Sequence, residues 1–306
     1  MQRVPQVRPV ALAGTLEAMP GDVEPPCVVD AQVVEDATVC AHPAPATREP
    51  TFAGFLDGAQ RSRVVAHCGP APIVEGRVAA VIRWRIDRRL MTWQRALRQT
   101  RVYAPLAHLP AGLLDDFPPG SIVDTSAPDR DGTVPDAHPM LLLERARQAV
   151  ARDREAVERE LAEAWCAAEQ RPLFIDGGIG GSAAVAAAHG AVGVVRNHRT
   201  LYVSGNALLA VLALGSGERS SVLRIAPRGR TELWSWYLRL RDGVGREALW
   251  GIVRVETAQR DDPTAVADTL SGWVLAEGTP PAMPDRRWDK TVYGIKNCER
   301  LLGAIC

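Results

Sequence analysis

The sequence predicts an α/β fold, a mixed sheet flanked by helices with an irregular N-terminal arm, from three observations. Short apolar or alternating runs separated by Gly and Pro open the patterned part of the chain, one long stretch repeats its apolar residues every three or four positions, and a short, wholly apolar strand follows that stretch. With 306 residues the chain has room for one large domain or two small ones.

Composition sets the outer limits. Hydrophobic residues make up 46% and charged residues 24%, ordinary values for a globular chain, and no run reaches the ~18 apolar residues of a membrane span. The first residues, MQRVPQVRPVALAG, have no apolar run before a cleavage-like site, so a cytoplasmic location is expected. Six cysteines (Cys27, Cys40, Cys68, Cys166, Cys298 and Cys306) lack CxxC or zinc spacing, which argues against a disulfide framework and a structural zinc. The net charge is zero, so any nucleic-acid surface has to be local. Lys290 and Lys296 are the only lysines; arginine suits bidentate phosphate contacts, but a GC-rich genome gives the same bias.

Taken in chain order, residues 1–50 are rich in Pro, Ala, Val and acidic residues and read as an arm or leader, with the domain proper at 51–306. TFAGFLDG, SRVVAHCG and the run from Ile73 to Ile86 read as three strands of a meander, the first ending at Asp57-Gly58. Residues 109–139 are rich in Pro, Gly and Asp and read as a surface excursion. From Met140 to about Gln170 the residues Leu143, Ala146, Val150, Val157, Leu161, Ala164 and Ala168 mark one helix face. RPLFIDGG reads as a buried strand ending at Asp176, SAAVAAAHG as a helix, AVGVVRNHRTLYV as strand and turn, and GNALLAVLALG as a helix closed by glycine. LWSWYLRLRDG and ALWGIVRVE form a hairpin, Pro263 to Leu275 a helix, and the stretch after Trp288 a terminal helix. Three strands, a helix, a strand and then mixed elements fit the RNase H-like arrangement.

Asp57 and Asp176 each end an apolar strand and precede glycine, so each carboxylate projects at a sheet end. Two carboxylates brought together repel unless a divalent cation lies between them, and such a cation prefers hard oxygen ligands. Asp-Gly is also a common turn pair, and either aspartate alone would be read so. The long helix offers a third ligand: Glu160 lies about 60° from Val157 at ~3.6 residues per turn, on the inward side, with Glu158 the second choice.

FLDGAQRS, the helix ending RELAEAW, RPLFIDGGI, GVVRNHRTLYV, WYLRL and IVRVE occur in the order shown by NurA-type nucleases, and from about residue 51 onward the chain resembles that family. The resemblance implies a Mn- or Mg-dependent endo- and exonuclease acting on DNA ends, a ring-like homodimer, and a HerA-type hexameric ATPase as partner, in DNA repair or anti-phage defence. By position it implies metal ligation and catalysis by Asp57, Glu160 and Asp176, a catalytic role for Tyr293, and a DNA contact by Arg196 where the family has a lysine. The family's Tyr-Pro pair and later Ala-His are absent: Gly294 follows Tyr293, and no histidine comes after it. Glu299 is read either as a replacement ligand or proton acceptor, or as a solvent-facing residue of the last helix. Of the six histidines only His198 lies near a family motif. Arg254 and Glu256 read as a strand-borne salt bridge or, for Arg254, a DNA contact; Trp236, Tyr237 and Arg239 as core or a base-stacking surface. Two rival functions remain: an actin-like ATPase with IDGGIGGS as its phosphate loop, and a non-catalytic subunit that binds DNA or an ATPase, motivated by the missing histidine.

Overall fold

The computed structural model describes residues 7–9, 26–45, 47, 51–87, 89–127, 136–226, 231–243, 246–278 and 293–306. Four short strands come first: β1 (Val7–Pro9), β2 (Cys27–Val28), β3 (Gln32–Val33) and β4 (Ala41–Pro43). Two long strands follow, β5 (Gly54–Cys68) and β6 (Ala71–Ile86), then the short β7 (Arg89–Thr92) folded against the end of β6, and β8 (Leu97–Ala104). A connection carrying β9 (Ile122–Asp124) leads to helix α1 (Pro139–Ala168), which crosses to β10 (Leu173–Asp176). Beyond it lie α2 (Ala183–Ala187), β11 (Ala191–Val195), β12 (Thr200–Leu201), α3 (Gly205–Leu212), β13 (Glu218–Ser220), β14 (Leu223–Ile225), β15 (Leu233–Arg239) and β16 (Ile252–Thr257). Helices α4 (Pro263–Glu277) and α5 (Tyr293–Ile305) close the chain.

The main sheet runs β9-β8-β6-β5-β10-β11-β16-β15-β14-β3. Strands β5, β6 and β8 alternate in direction, whereas β5, β10 and β11 run parallel, with α1 as the crossover that a parallel connection requires. The result is an α/β protein with helices on both faces of a mixed sheet. Alternation along the strands divides its core. Leu56, Val78, Ile82, Leu173 and Ile175 face α1, α2 and α3, while Phe55, Val81, Phe174, Val194 and Val255 face α4 and α5.

Helix α1 spans nearly the length its periodicity predicts. Pro139 occupies its first turn, and Leu142, Ala146, Ala149, Val150, Val157, Leu161, Ala162 and Trp165 are buried. Trp165 meets Trp84 and Trp93 edge-on, and Gly54 leaves it space: a Cβ there would lie 2.8 Å from the Trp165 ring. Strands β15 and β16 pair antiparallel, as the hairpin reading expected. Among the described residues no helix is long and apolar enough to cross a membrane. All six cysteines are free thiols.

Three expectations change. The first two predicted strands are one strand, β5, which runs through Asp57-Gly58 without turning, and β7 and β8 were not foreseen. Residues 26–45, expected within an irregular arm, carry three strands of the domain: β3 pairs with β14, β4 with β13 and β2 with β12. Strands of two or three residues are too short to leave a period in the sequence.

The clasp that fixes this segment is charged. Arg219 is 1% exposed and bonds both oxygens of Glu35, at 2.7 and 2.8 Å, and Asp268 at 2.7 Å. Asp36 accepts from Ser221 Oγ at 2.5 Å and lies 2.8 Å from His42 Nε2. Replacing one member of a buried pair strands its partner's charge, at a cost of about 3–5 kcal/mol. Glu35→Ala should therefore destabilise the fold by about 3 kcal/mol in denaturant melts, the lower end because Asp268 still neutralises Arg219.

Candidate functional site

Strands β5 and β10 pair in parallel with Leu173 beside Gly54, Phe174 beside Phe55 and Ile175 beside Leu56. The next residues in that register are Asp176 and Asp57. Phe55 and Phe174 face α4 and α5, Leu56 and Ile175 face α1, so both aspartates return to the α4/α5 face side by side. Strand β10 stops at Asp176, and Gly177 turns away at φ 139°, a value that favours glycine. Strand β5 continues beyond it. The two carboxylates thus lie at the carboxyl end of the parallel strands, where open α/β sheets bind ligands.

The helix carboxylate at this place is Glu158. Glu160 is exposed, whereas the Glu158 side chain is only 17% exposed and ion-pairs with Arg154, whose Nε donates to Gln60 Oε1 at 3.2 Å. Gly58 explains how Glu158 arrives: a Cβ on Gly58 would lie 1.9 Å from Glu158 Oε1, so the carboxylate occupies the space of a missing side chain. A single apolar line along the whole of α1 points to Glu160, which the structure leaves exposed. On a wheel of ~100° per residue, the buried set Val157, Leu161, Ala162 and Trp165 is turned roughly 100° from Leu142, Ala146, Ala149 and Val150. A straight helix on a twisted sheet changes the side it presents. Glu158 lies within the second set and Glu160 outside it. Asp153, nearer the helix start, is held by Tyr103 Oη at 2.7 Å and Arg101 at 3.0 Å.

Helix α5 covers the aspartates. Gly294 allows it to descend onto the sheet, since a Cβ there would lie 2.3 Å from the Phe55 ring; this is the position where the resembled family has proline. Cys298 Sγ donates to Phe55 O at 3.2 Å. Arg196, just after β11, forks onto Asp176, with Nε to Oδ1 at 2.7 Å and a second contact from Nη2 to Oδ2, and its Nη1 lies 3.6 Å from Glu299 Oε1. Lys296 Nζ donates to Glu299 at 2.9 Å. Glu299 therefore belongs to the acidic cluster and is not simply a solvent-facing residue. Nothing in the sequence marks it except its place one helical turn after Lys296.

Two other predicted residues stand apart. Tyr293 opens α5 at 58% exposure, and among the described residues no hydrogen bond joins it to the carboxylates. Of the two readings of Arg254 the structure has the strand-borne salt bridge and not the DNA contact: 6% exposed, it pairs with Glu256 at 2.8 Å, donates to Thr200 O at 2.8 Å and stacks over Tyr202. It lies on the same face of β16 as the core that packs against α1. Trp236, Tyr237 and Arg239 are likewise buried in the core. His198 Nε2 lies 2.8 Å from Ile252 O, away from the aspartates.

Burial, reinforced by the charge of Asp176, pushes the Asp57 carboxyl well above its usual range, while Arg196 draws it back. Burial also raises Asp176, against the pull of Arg196, and raises Glu158 to about 7 against that of Arg154. These are hard oxygen donors on three elements with an excess of negative charge, a donor set suited to a divalent cation. As placed, the four carboxylates are not closed around one point: among the described residues only Glu35, Asp36 and His42 bring three ligand atoms within 4.8 Å of one another. The oxygens of that trio are engaged by Arg219, Ser221 and the Val222 N–H, as a structural clasp. At Asp57 and Asp176 the Arg196 guanidinium holds the position of the countercharge.

In the glycine loop after Asp176 two N–H groups are already taken, the first being Gly177 N, which donates to Val194 O at 3.1 Å. Ile179 N donates to Glu256 Oε2 at 3.0 Å, and the same carboxylate lies against Gly178. This arrangement counts against the ATPase reading. No protein-family model matches the chain, and no curated protein matches it.

A raised carboxylate keeps its proton in the folded state over an interval where the unfolded chain has released it. Raising the pH through that interval therefore favours unfolding. For Glu158 the interval runs from about 4.5 to about 7. In chelator, the melting temperature should fall across this range, and Glu158→Gln should flatten the fall; an equal slope in both proteins would refute the assignment.

Proposed function

We propose that the chain is a divalent-metal-dependent DNA nuclease with an RNase H-like domain. The observation that carries this reading is the register of Asp57 and Asp176 on neighbouring parallel strands, with Glu158 against Gly58, the residue after Asp57, on the α1 face of the sheet. The strand order supports the fold: an antiparallel trio, a crossover helix, then a parallel strand on the far side of the first. Asp57, Asp176 and Glu158 would hold the Mn²⁺ or Mg²⁺ ion, with Glu299 adjacent. Bound there, the ion supplies positive charge against the scissile phosphate and lowers the pKa of a water. Arg196 exchanges Asp176 for a phosphate oxygen, its planar fork fitting either anion. Lys296 brings a second cation to the same side of α5. By the family resemblance, the proposal extends to DNA ends as substrate, a homodimer, and a HerA-type hexameric ATPase as partner.

A non-catalytic DNA-binding subunit has one observation in its favour, the fork of Arg196 on Asp176, which already neutralises one ligand. Manganese-dependent DNA binding without cleavage would establish that reading instead. On linear DNA with Mn²⁺, Asp57→Asn should cut at less than about one-hundredth of the normal rate with its melting temperature preserved, and undiminished cutting would sink the proposal. Gly58→Ala should displace Glu158 and weaken Mn²⁺ binding by about 10–100-fold in calorimetry, since the new methyl group takes the space of Oε1.

A further inference from the structure

The face of β5 that carries Asp57 continues past the end of β10 as Ala59, Arg61 and Arg63, because alternate residues share a face. Helix α5 covers this face only as far as its own end: Cys306 Sγ reaches Ala59 O at 3.7 Å and Arg77 O at 3.4 Å. Beyond that point, among the described residues, this face is exposed and basic. Arg77 on β6 sits directly opposite Arg61, Thr100 on β8 opposite Arg77, and Arg98 on β8 opposite Ala79. Arg61, Arg63, Arg77 and Arg98 are all exposed. Glu75 is the acidic residue among them, bridging Arg63 at 3.1 Å and Arg77 at 3.0 Å, and Arg61 donates to Gly303 O at 3.2 Å.

This is a local excess in a chain whose net charge is zero. Like charges placed directly opposite one another destabilise a strand pair, and exposed bridges such as those to Glu75 offset that by less than about 1 kcal/mol each. An anion laid across the three strands removes the repulsion. The track begins beside the acidic site: Asp57 and Arg63 are six residues apart on one strand, about 20 Å, a length spanned by on the order of six phosphates of one DNA strand. A single small anion would engage only part of it.

We propose that this outer face of β5, β6 and β8 binds the phosphate backbone of the DNA that Asp57 and Asp176 act on, a surface that rests on the nuclease reading for its substrate. Arg61, Arg77 and Arg98 make phosphate contacts and take no part in bond cleavage. The test is Arg61→Gln/Arg77→Gln/Arg98→Gln in the full chain, measured by fluorescence anisotropy on labelled linear duplex in chelator over a range of salt. The expected result is at least about tenfold weaker binding, with a salt slope reduced by about 0.9 for each phosphate that is no longer neutralised. Manganese-dependent hydrolysis of bis(p-nitrophenyl) phosphate, which is too small to reach the track, should be unchanged. Should the triple variant melt early, Arg98→Gln alone carries the same expectation for one phosphate. Unchanged affinity and slope in a folded variant, or no DNA binding by the unaltered chain, overturns the track. If the unaltered chain hydrolyses no phosphodiester, the nuclease reading falls, and a loss of DNA affinity in the variant still upholds the track.

Discussion

Two carboxylates held level on adjacent parallel strands, nearly out of water, form the constraint on which the rest of the site depends. Ionised together without a countercharge they would be strongly unfavourable, and burial makes the repulsion worse. The protein answers with arginines from both sides: Arg196 forks onto Asp176 from the strand end, and Arg154 holds Glu158 on the helix side. Each cation is itself placed by the fold, Arg196 by the end of β11 and Arg154 one turn before the glutamate it binds. Charge balance links elements that are far apart in the chain.

The layers make this arrangement possible because β5 is longer than its neighbour. Where β10 ends, the edge of β5 is left uncovered, and side chains from both helix layers reach it: Glu158 from below through the gap at Gly58, Glu299 from above on α5. At this site two glycines serve close approach rather than backbone freedom. Gly58 admits a carboxylate and Gly294 admits an aromatic ring, and each lets a helix settle where a methyl group would hold it off.

The parts of this site that were legible in the sequence are those with a local cause. Asp57 and Asp176 stood out because apolar residues precede them and glycine follows, and the α1 period gave that helix nearly to its ends. The same local logic misled at Asp57-Gly58, where a turn pair lies within a straight strand, since nothing nearby announces that a helix carboxylate needs the space. Glu158 came second to Glu160 because sheet twist, which rotates the buried face of α1, is a property of the sheet and not of the helix sequence. Alternation in IVRVE was enough to pair Arg254 with Glu256, but it left a DNA contact open because it does not show that both faces of β16 are covered. The strands of residues 26–45 and the place of Glu299 depend on partners over a hundred residues away, a separation that periodicity does not register.

The charges at the site are unevenly matched, and the unevenness points to its chemistry. A guanidinium fork suits one carboxylate at a time, and Arg196 spends its fork on Asp176 while touching Glu299 only at the rim. Asp57, deeper under α5, accepts a hydrogen bond from its own neighbour Gly58 at 2.8 Å and feels Arg196 only at a distance. Burial raises both carboxyls, and Asp57 is the one the arginine serves least. A compact divalent charge lying between the two strands would serve both aspartates at once, which a planar fork does not, and it would free Arg196 for the next anion to arrive. Under the proposed function, the arginine that neutralises Asp176 here would become available for a phosphate once a cation took its place.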